Sequence, residues 1–120
     1  MIKFVMCLTR HPSMTREEFR DYWENKHGPF YMKNAAAVGA KKYVQSHTLN
    51  TPLNEGIRAS RGMQPEYDGV AEVWFESEQE LIAGMSSPEG QEIGAALLED
   101  EGNFVDHSKS AAFIVEEREF

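Results

Sequence analysis

The sequence predicts an α+β fold, a four-stranded antiparallel sheet with its helices on one side. Three observations lead there. Ile2–Thr9, Lys42–Leu49, Tyr67–Phe75 and Ser110–Glu116 are rich in apolar, β-branched and aromatic residues. Helical stretches with capping signals fill the first and last gaps between them, whereas a loop joins the middle two. Both alternating faces of the strands carry apolar side chains, although the helices suffice to cover only one.

Taken in order, Ile2–Thr9 is apolar on both faces and bounded by Arg10-His11-Pro12, a buried strand. Thr15 is an N-cap, Glu18 closes a capping box, and Met14 can staple onto Phe19. In FRDYWENKHGPF, Phe19, Tyr22, Trp23 and His27 form one stripe of a 3.6-residue period; Gly28-Pro29 then predicts a break. Phe30–Val38 is alanine-rich and helical, and stops at Gly39. KYVQSHTL, Lys42–Leu49, sets Tyr43, Gln45 and His47 on one face and Val44, Ser46 and Thr48 on the other. Asn50–Glu66 reads as a long loop, with room for a short helical turn at Leu53–Ala59; connections of that length tend to be functional. Tyr67–Phe75 is the third strand. Ser77 with Glu80 opens a helix through Leu81, Ile82 and Met85, and Ser87 followed by Pro88 opens another reaching about Leu98. Ser110–Glu116 closes the sheet. The order β-α-β-β-α(α)-β is the ferredoxin-like split βαβ arrangement.

Two apolar sets are expected, Val5, Cys7, Val73, Phe75, Phe113 and Val115 against Ile2, Phe4, Met6, Val70, Trp74 and Ile114. The economical cover for the uncovered one is a second copy of the sheet, hence a homodimer. Composition narrows the partners. The chain has 120 residues, 41% hydrophobic and 27% charged, which suits a single domain over 1–120 with its own core. A net charge of -8 argues against nucleic acid and anionic membranes as partners. The acid runs Glu76–Glu80 and Glu99–Glu101 read as solvated helix ends. A lone Cys7, no signal-peptide pattern and no membrane-length apolar run point to the cytoplasm.

His27 has two readings. At a helix C-terminus it can cap free carbonyls; equally, the Gly28-Pro29 break can aim its imidazole past the helix into a site walled by Trp23. The strands offer a parallel choice. Tyr43, Gln45 and His47, with Asp68, Val70, Glu72 and Trp74 at matching alternation on the third strand, are either a wetted edge or the lining of a cavity. Glu72, mid-strand between Ala71 and Val73, needs a partner or water. His27, His47 and Glu72 could form a two-histidine, one-carboxylate metal set, but no HxH or HxxxH spacing singles out a metal. No haem motif, GxGxxG or P-loop is present, so no cofactor is expected. Cys7 lies in an apolar strand, where thiols are usually inert.

RHPSMTREEFRDYWENKHGPF, KKYVQSHTL, YDGVAEVWFES and LLEDEGNFVDHSKSAAFIVEE resemble successive blocks of the EthD domain, from Ile2 to Glu117. The most specific matches are Trp-x-x-x-His-x-Pro at Trp23, His27 and Pro29, and Asp100-Glu101 with Phe104 and Asp106. The resemblance implies the dimeric α-β barrel superfamily: ferredoxin-like protomers packed sheet to sheet, each with a small-molecule cavity between sheet and helices. It also implies degradation or tailoring of small organic compounds, with isomerases, dehydratases, decarboxylases, cyclases and cofactor-free monooxygenases among the relatives. Fold alone does not choose among these. Asn50–Glu66 is expected to carry specificity.

The expected function is acid–base chemistry, without a cofactor, on an aromatic or lactone-like organic acid. His27, His47, Tyr43 and Glu72 are the candidate catalytic residues: a histidine base, a donor to the enolate oxygen, and a carboxylate that orients a histidine. Trp23, Gln45, Trp74 and Phe30 are candidate substrate contacts. A non-catalytic accessory binder and a cofactor-free monooxygenase are the alternatives.

Overall fold

The computed structural model describes all 120 residues, Met1–Phe120. Its elements run β1 (Ile2–Leu8), α1 (Arg16–Tyr22), a π-helical turn (Trp23–His27), α2 (Gly28–Asn34), a 3-10 turn (Ala36–Val38), β2 (Lys42–His47), α3 (Pro52–Arg61), β3 (Gly69–Phe75), α4 (Glu78–Ser86), α5 (Pro88–Glu101), a 3-10 turn (His107–Lys109) and β4 (Ala111–Val115). The sheet is antiparallel throughout, in the order β2-β3-β1-β4, so the fold is α+β and ferredoxin-like. No helix is long and apolar enough to cross a membrane.

The expected caps form. Thr15 accepts from the Glu18 N–H while the Glu18 side chain accepts from the Thr15 N–H at 2.9 Å. Ser77 and Ser87 accept from the N–H groups of Glu80 and Gly90. Phe19, Trp23 and Phe104, the three largest fully buried side chains, gather Leu8, Ala71 and Val105 into the core, and Met14 packs against it. That core ties the end of β1, α1 and the segment after α5 into one layer.

Three expectations give way. The helix does not break at Gly28-Pro29. It widens by one residue, the Gly28 N–H bonding to the Trp23 carbonyl, and continues as α2 with Pro29 in its first turn. A widened turn leaves room for a ring that would clash in a regular helix. Asn50–Glu66 is not chiefly a loop: Thr51 caps the ten-residue α3, which buries none of its residues. The faces are also re-sorted. Phe4 pairs with Val73 and Met6 with Ala71, so Phe4, Met6, Ala71, Val73 and Phe75 share the helix-covered face. Val5, Cys7, Val70, Glu72, Trp74 and Phe113 share the other. Alternation within a strand was readable; register between strands was not.

Candidate active site

Between the helix-covered face and α2, α4 and α5 lies a cavity of about 210 Å³. Its lining is mostly aliphatic and aromatic, which makes its few polar side chains the centre of interest. These are His27, Tyr31, Tyr43 and Glu101.

The π-helical turn positions His27. At the end of that turn its ring is 6% exposed and packed 4.9 Å from the Phe104 ring. It is not a cap: its Nδ1 lies 2.7 Å from Asp100 Oδ2. Asp100 also accepts from the Tyr22 hydroxyl at 2.6 Å, and that hydroxyl in turn accepts from Asn103 at 3.1 Å. Burial alone would raise the Asp100 carboxyl, but the bonds from Tyr22 and His27 outweigh it and hold the group below the usual carboxylate value of 3.8. An ionised carboxylate only accepts, so Nδ1 carries a proton, and in the neutral ring Nε2 holds the lone pair.

A second network fixes Tyr43. Gln45 Nε2 donates to the Trp23 carbonyl at 2.9 Å and to the Tyr43 oxygen at 2.8 Å. The carbonyl demands a donor, so the amide orientation is set and Gln45 Oε1 must accept from His47 Nε2–H at 2.9 Å. Tyr43 therefore receives a hydrogen bond and has its own O–H free for an acceptor in the cavity. A Cβ on Gly28 would come within 2.9 Å of Gln45 Nε2, and one on Gly69 within 2.4 Å of Trp23. Both glycines are needed for close approach rather than for turning. Burial, assisted by Tyr43, pushes the Tyr31 phenol up to about 12; its ring lies 4.6 Å from that of Tyr43.

The structure thus brings His27, Trp23 and Tyr43 to one cavity, with Gln45 and His47 behind the wall. His47 packs 4.6 Å from Trp23, and its buried Nδ1 has no partner. Its basicity is lowered, chiefly by burial and secondarily by Arg20. Phe30 is half-buried outside the lining; its neighbour Tyr31 takes that place. Glu72 and Trp74 lie across the sheet, where Glu72 pairs with Lys3 Nζ at 2.5 Å and Trp74 donates to Glu117 at 2.6 Å. Register puts them there: Glu72 sits opposite Val5 and Val44, not opposite a cavity residue. The set His27, His47 and Glu72 is consequently not assembled. Asp68, expected on the cavity face, instead precedes β3 and is held by Arg10 and Arg16 at 2.8 and 2.9 Å.

The carboxylate that does reach His27, Asp100, belongs to the run expected to be solvated. One signal marks it. Glu76–Glu80 surrounds a helix N-terminus, where the dipole favours acid, but Glu99–Glu101 closes α5, where it does not. Acid at the unfavourable end needs local donors, and Tyr22 and His27 are those donors for Asp100.

No curated protein sequence matches the chain. Several solved structures share its fold. An EthD family protein from Bacillus halodurans is 19% identical, with 98% of this chain and 99% of that one covered, at a TM-score of 0.65. A dimeric protein of unknown function and ferredoxin-like fold from Bacteroides fragilis is 11% identical over 97% and 95%, at 0.62. SnoaB, a cofactor-independent oxygenase from Streptomyces nogalater, is 13% identical over 99% and 94%, at 0.55. The model of the EthD domain matches residues 11–108, spanning both the His27 turn and Asp100, and the chain belongs to the EthD domain family.

Proposed function

We propose that this protein is a cytoplasmic, cofactor-independent enzyme that moves a proton on a small aromatic or lactone-like compound, with His27 as its base. The observation that carries this is the His27–Asp100 pair at the wall of an apolar cavity. Asp100 fixes the tautomer and steadies the imidazolium that forms, the role the sequence led us to give Glu72. Nε2 takes the proton from a carbon next to a carbonyl. The electron pair moves onto the carbonyl oxygen, and the free Tyr43 O–H stabilises the enolate. Return of the proton at another carbon gives isomerisation; departure of a leaving group from the next carbon gives elimination. Gln45 and His47 act through Tyr43, as positioning residues. On this reading the protein works as a homodimer through the open sheet face, where Val70, Trp74 and Phe113 leave apolar surface and where a structural relative is dimeric by description.

The likeness to SnoaB favours a second reading, cofactor-free oxygenation. It begins with the same deprotonation and differs in consuming dioxygen. A non-catalytic binder needs the cavity but no base. The test is hydrogen exchange of 2-tetralone in heavy water, followed by NMR. The parent should exchange the proton between ring and ketone faster than buffer does, and His27→Gln should fall to the buffer rate while still binding. A parent no faster than buffer, or a His27→Gln variant as fast as the parent, contradicts the proposal. Oxygen uptake during turnover of an electron-rich phenol would select the second reading.

A further inference from the structure

The charges around the cavity bear on what enters it. No Lys or Arg is among its lining residues, whereas Glu101 is. Glu101 follows Asp100 at the end of α5, and its outer contact is to His107 Nε2 at 3.0 Å. The Tyr43 hydroxyl is pushed up first by burial and, to a smaller degree, by Glu101, so that carboxylate lies within electrostatic reach of the proposed oxygen site. A carboxylate ligand would have to shed water in an apolar space and find no compensating cation. Protonated His27 does not supply one, because Asp100 already matches it, and Glu101 adds a carboxylate whose one ion-pair partner is His107, outside the lining.

We infer that the cavity admits uncharged compounds of one or two rings bearing a carbonyl-type acceptor and excludes carboxylates, with Glu101 as the residue that enforces the choice. The volume supports the size limit, since a cavity of about 150 Å³ holds benzene and this one has about 210 Å³. The inference rests on the site proposed above and replaces the organic acid expected from the sequence with its neutral counterpart.

The test is calorimetric titration, at mildly alkaline pH, with 2-tetralone and with tetralin-2-carboxylate, which share a skeleton and differ in charge. The parent should bind the ketone roughly tenfold or more tightly than the carboxylate. Glu101→Gln, which keeps an acceptor for His107, should narrow that gap by improving the carboxylate and leaving the ketone nearly unchanged. Raising the ionic strength on the parent should strengthen carboxylate binding alone. Equal or tighter binding of the carboxylate by the parent, or a gap that Glu101→Gln leaves intact, overturns the inference. Binding of neither compound overturns it together with the cavity as a site. Intact charge selection with no His27-dependent exchange overturns only the proton-transfer reading.

Discussion

The two faces of the sheet use similar residues to opposite ends. On the open face Lys3 and Glu72 satisfy each other, Glu117 takes the Trp74 N–H, and Lys3 and Lys42 lie 5.0 and 4.7 Å from the Trp74 ring. The charged groups there and the Trp74 indole are matched by neighbours. On the helix-covered face Tyr43 and His27 are each held at one atom, with the second, the phenol proton or Nε2, turned to an apolar space. Polar residues paired with one another stabilise a surface. Polar residues fixed on one side and open on the other are equipped to act on a ligand.

Breaking the two carboxylates separately exposes that contrast. Asp100→Asn should slow His27-dependent exchange by roughly a hundredfold or more while the fold persists by circular dichroism. Glu72→Gln should leave the exchange rate unchanged. Equal losses would mean that the faces are not functionally distinct. The assembly gives the next largest effect. Phe113, 49% exposed, lies on the open face, and Phe113→Asp should turn a dimer of roughly 1,000 Å² or more of buried surface into a monomer by light scattering. A monomeric parent would remove the open face from the account of assembly.

Acid acts on the two partly buried carboxylates that tie segments together. Asp68 and Asp100 are both held below the ordinary value of 3.8; for each, burial works upward and the bonds from Arg10 and Arg16, or from Tyr22 and His27, prevail. A depressed folded value adds stability above the unfolded value, lost as pH falls through the folded one. Thermal stability should therefore hold through mild acid and decline below about pH 4. Asp68→Asn should flatten that decline, and an unchanged acid limb would contradict it. The smallest effect is local: Thr15→Ala should cost about 1 kcal/mol in thermal unfolding, without altering exchange. An unchanged melting temperature would remove the cap from the energetics of α1.

Much of this was legible in the sequence because it is local. Caps at Thr15, Ser77 and Ser87 are signalled within four residues, and the stripe Phe19, Tyr22, Trp23, His27 turns inward as its period requires. Glu72 and Trp74 were misplaced because alternation gives two faces without saying which one neighbouring strands share. Gly28 looked like a helix stop, yet its constraint is the side chain of Gln45 from a different strand. Asp100 lies 73 residues from His27, beyond any spacing rule. The EthD resemblance marks Asp100 and Glu101 as specific without saying what they touch, and the helix dipole alone hints that they need partners.

On the proposed mechanism, His27 presents a base to the cavity. Histidine-selective NMR on nitrogen-labelled protein tests it most directly, because the two tautomers differ in which ring nitrogen carries the proton. At mildly alkaline pH, His27 should show a protonated Nδ1 and a bare Nε2 that shifts when 2-tetralone is added, whereas His47 should show the opposite tautomer and little response. A His27 protonated at Nε2, or one indifferent to the ketone while the ketone binds, would contradict the account.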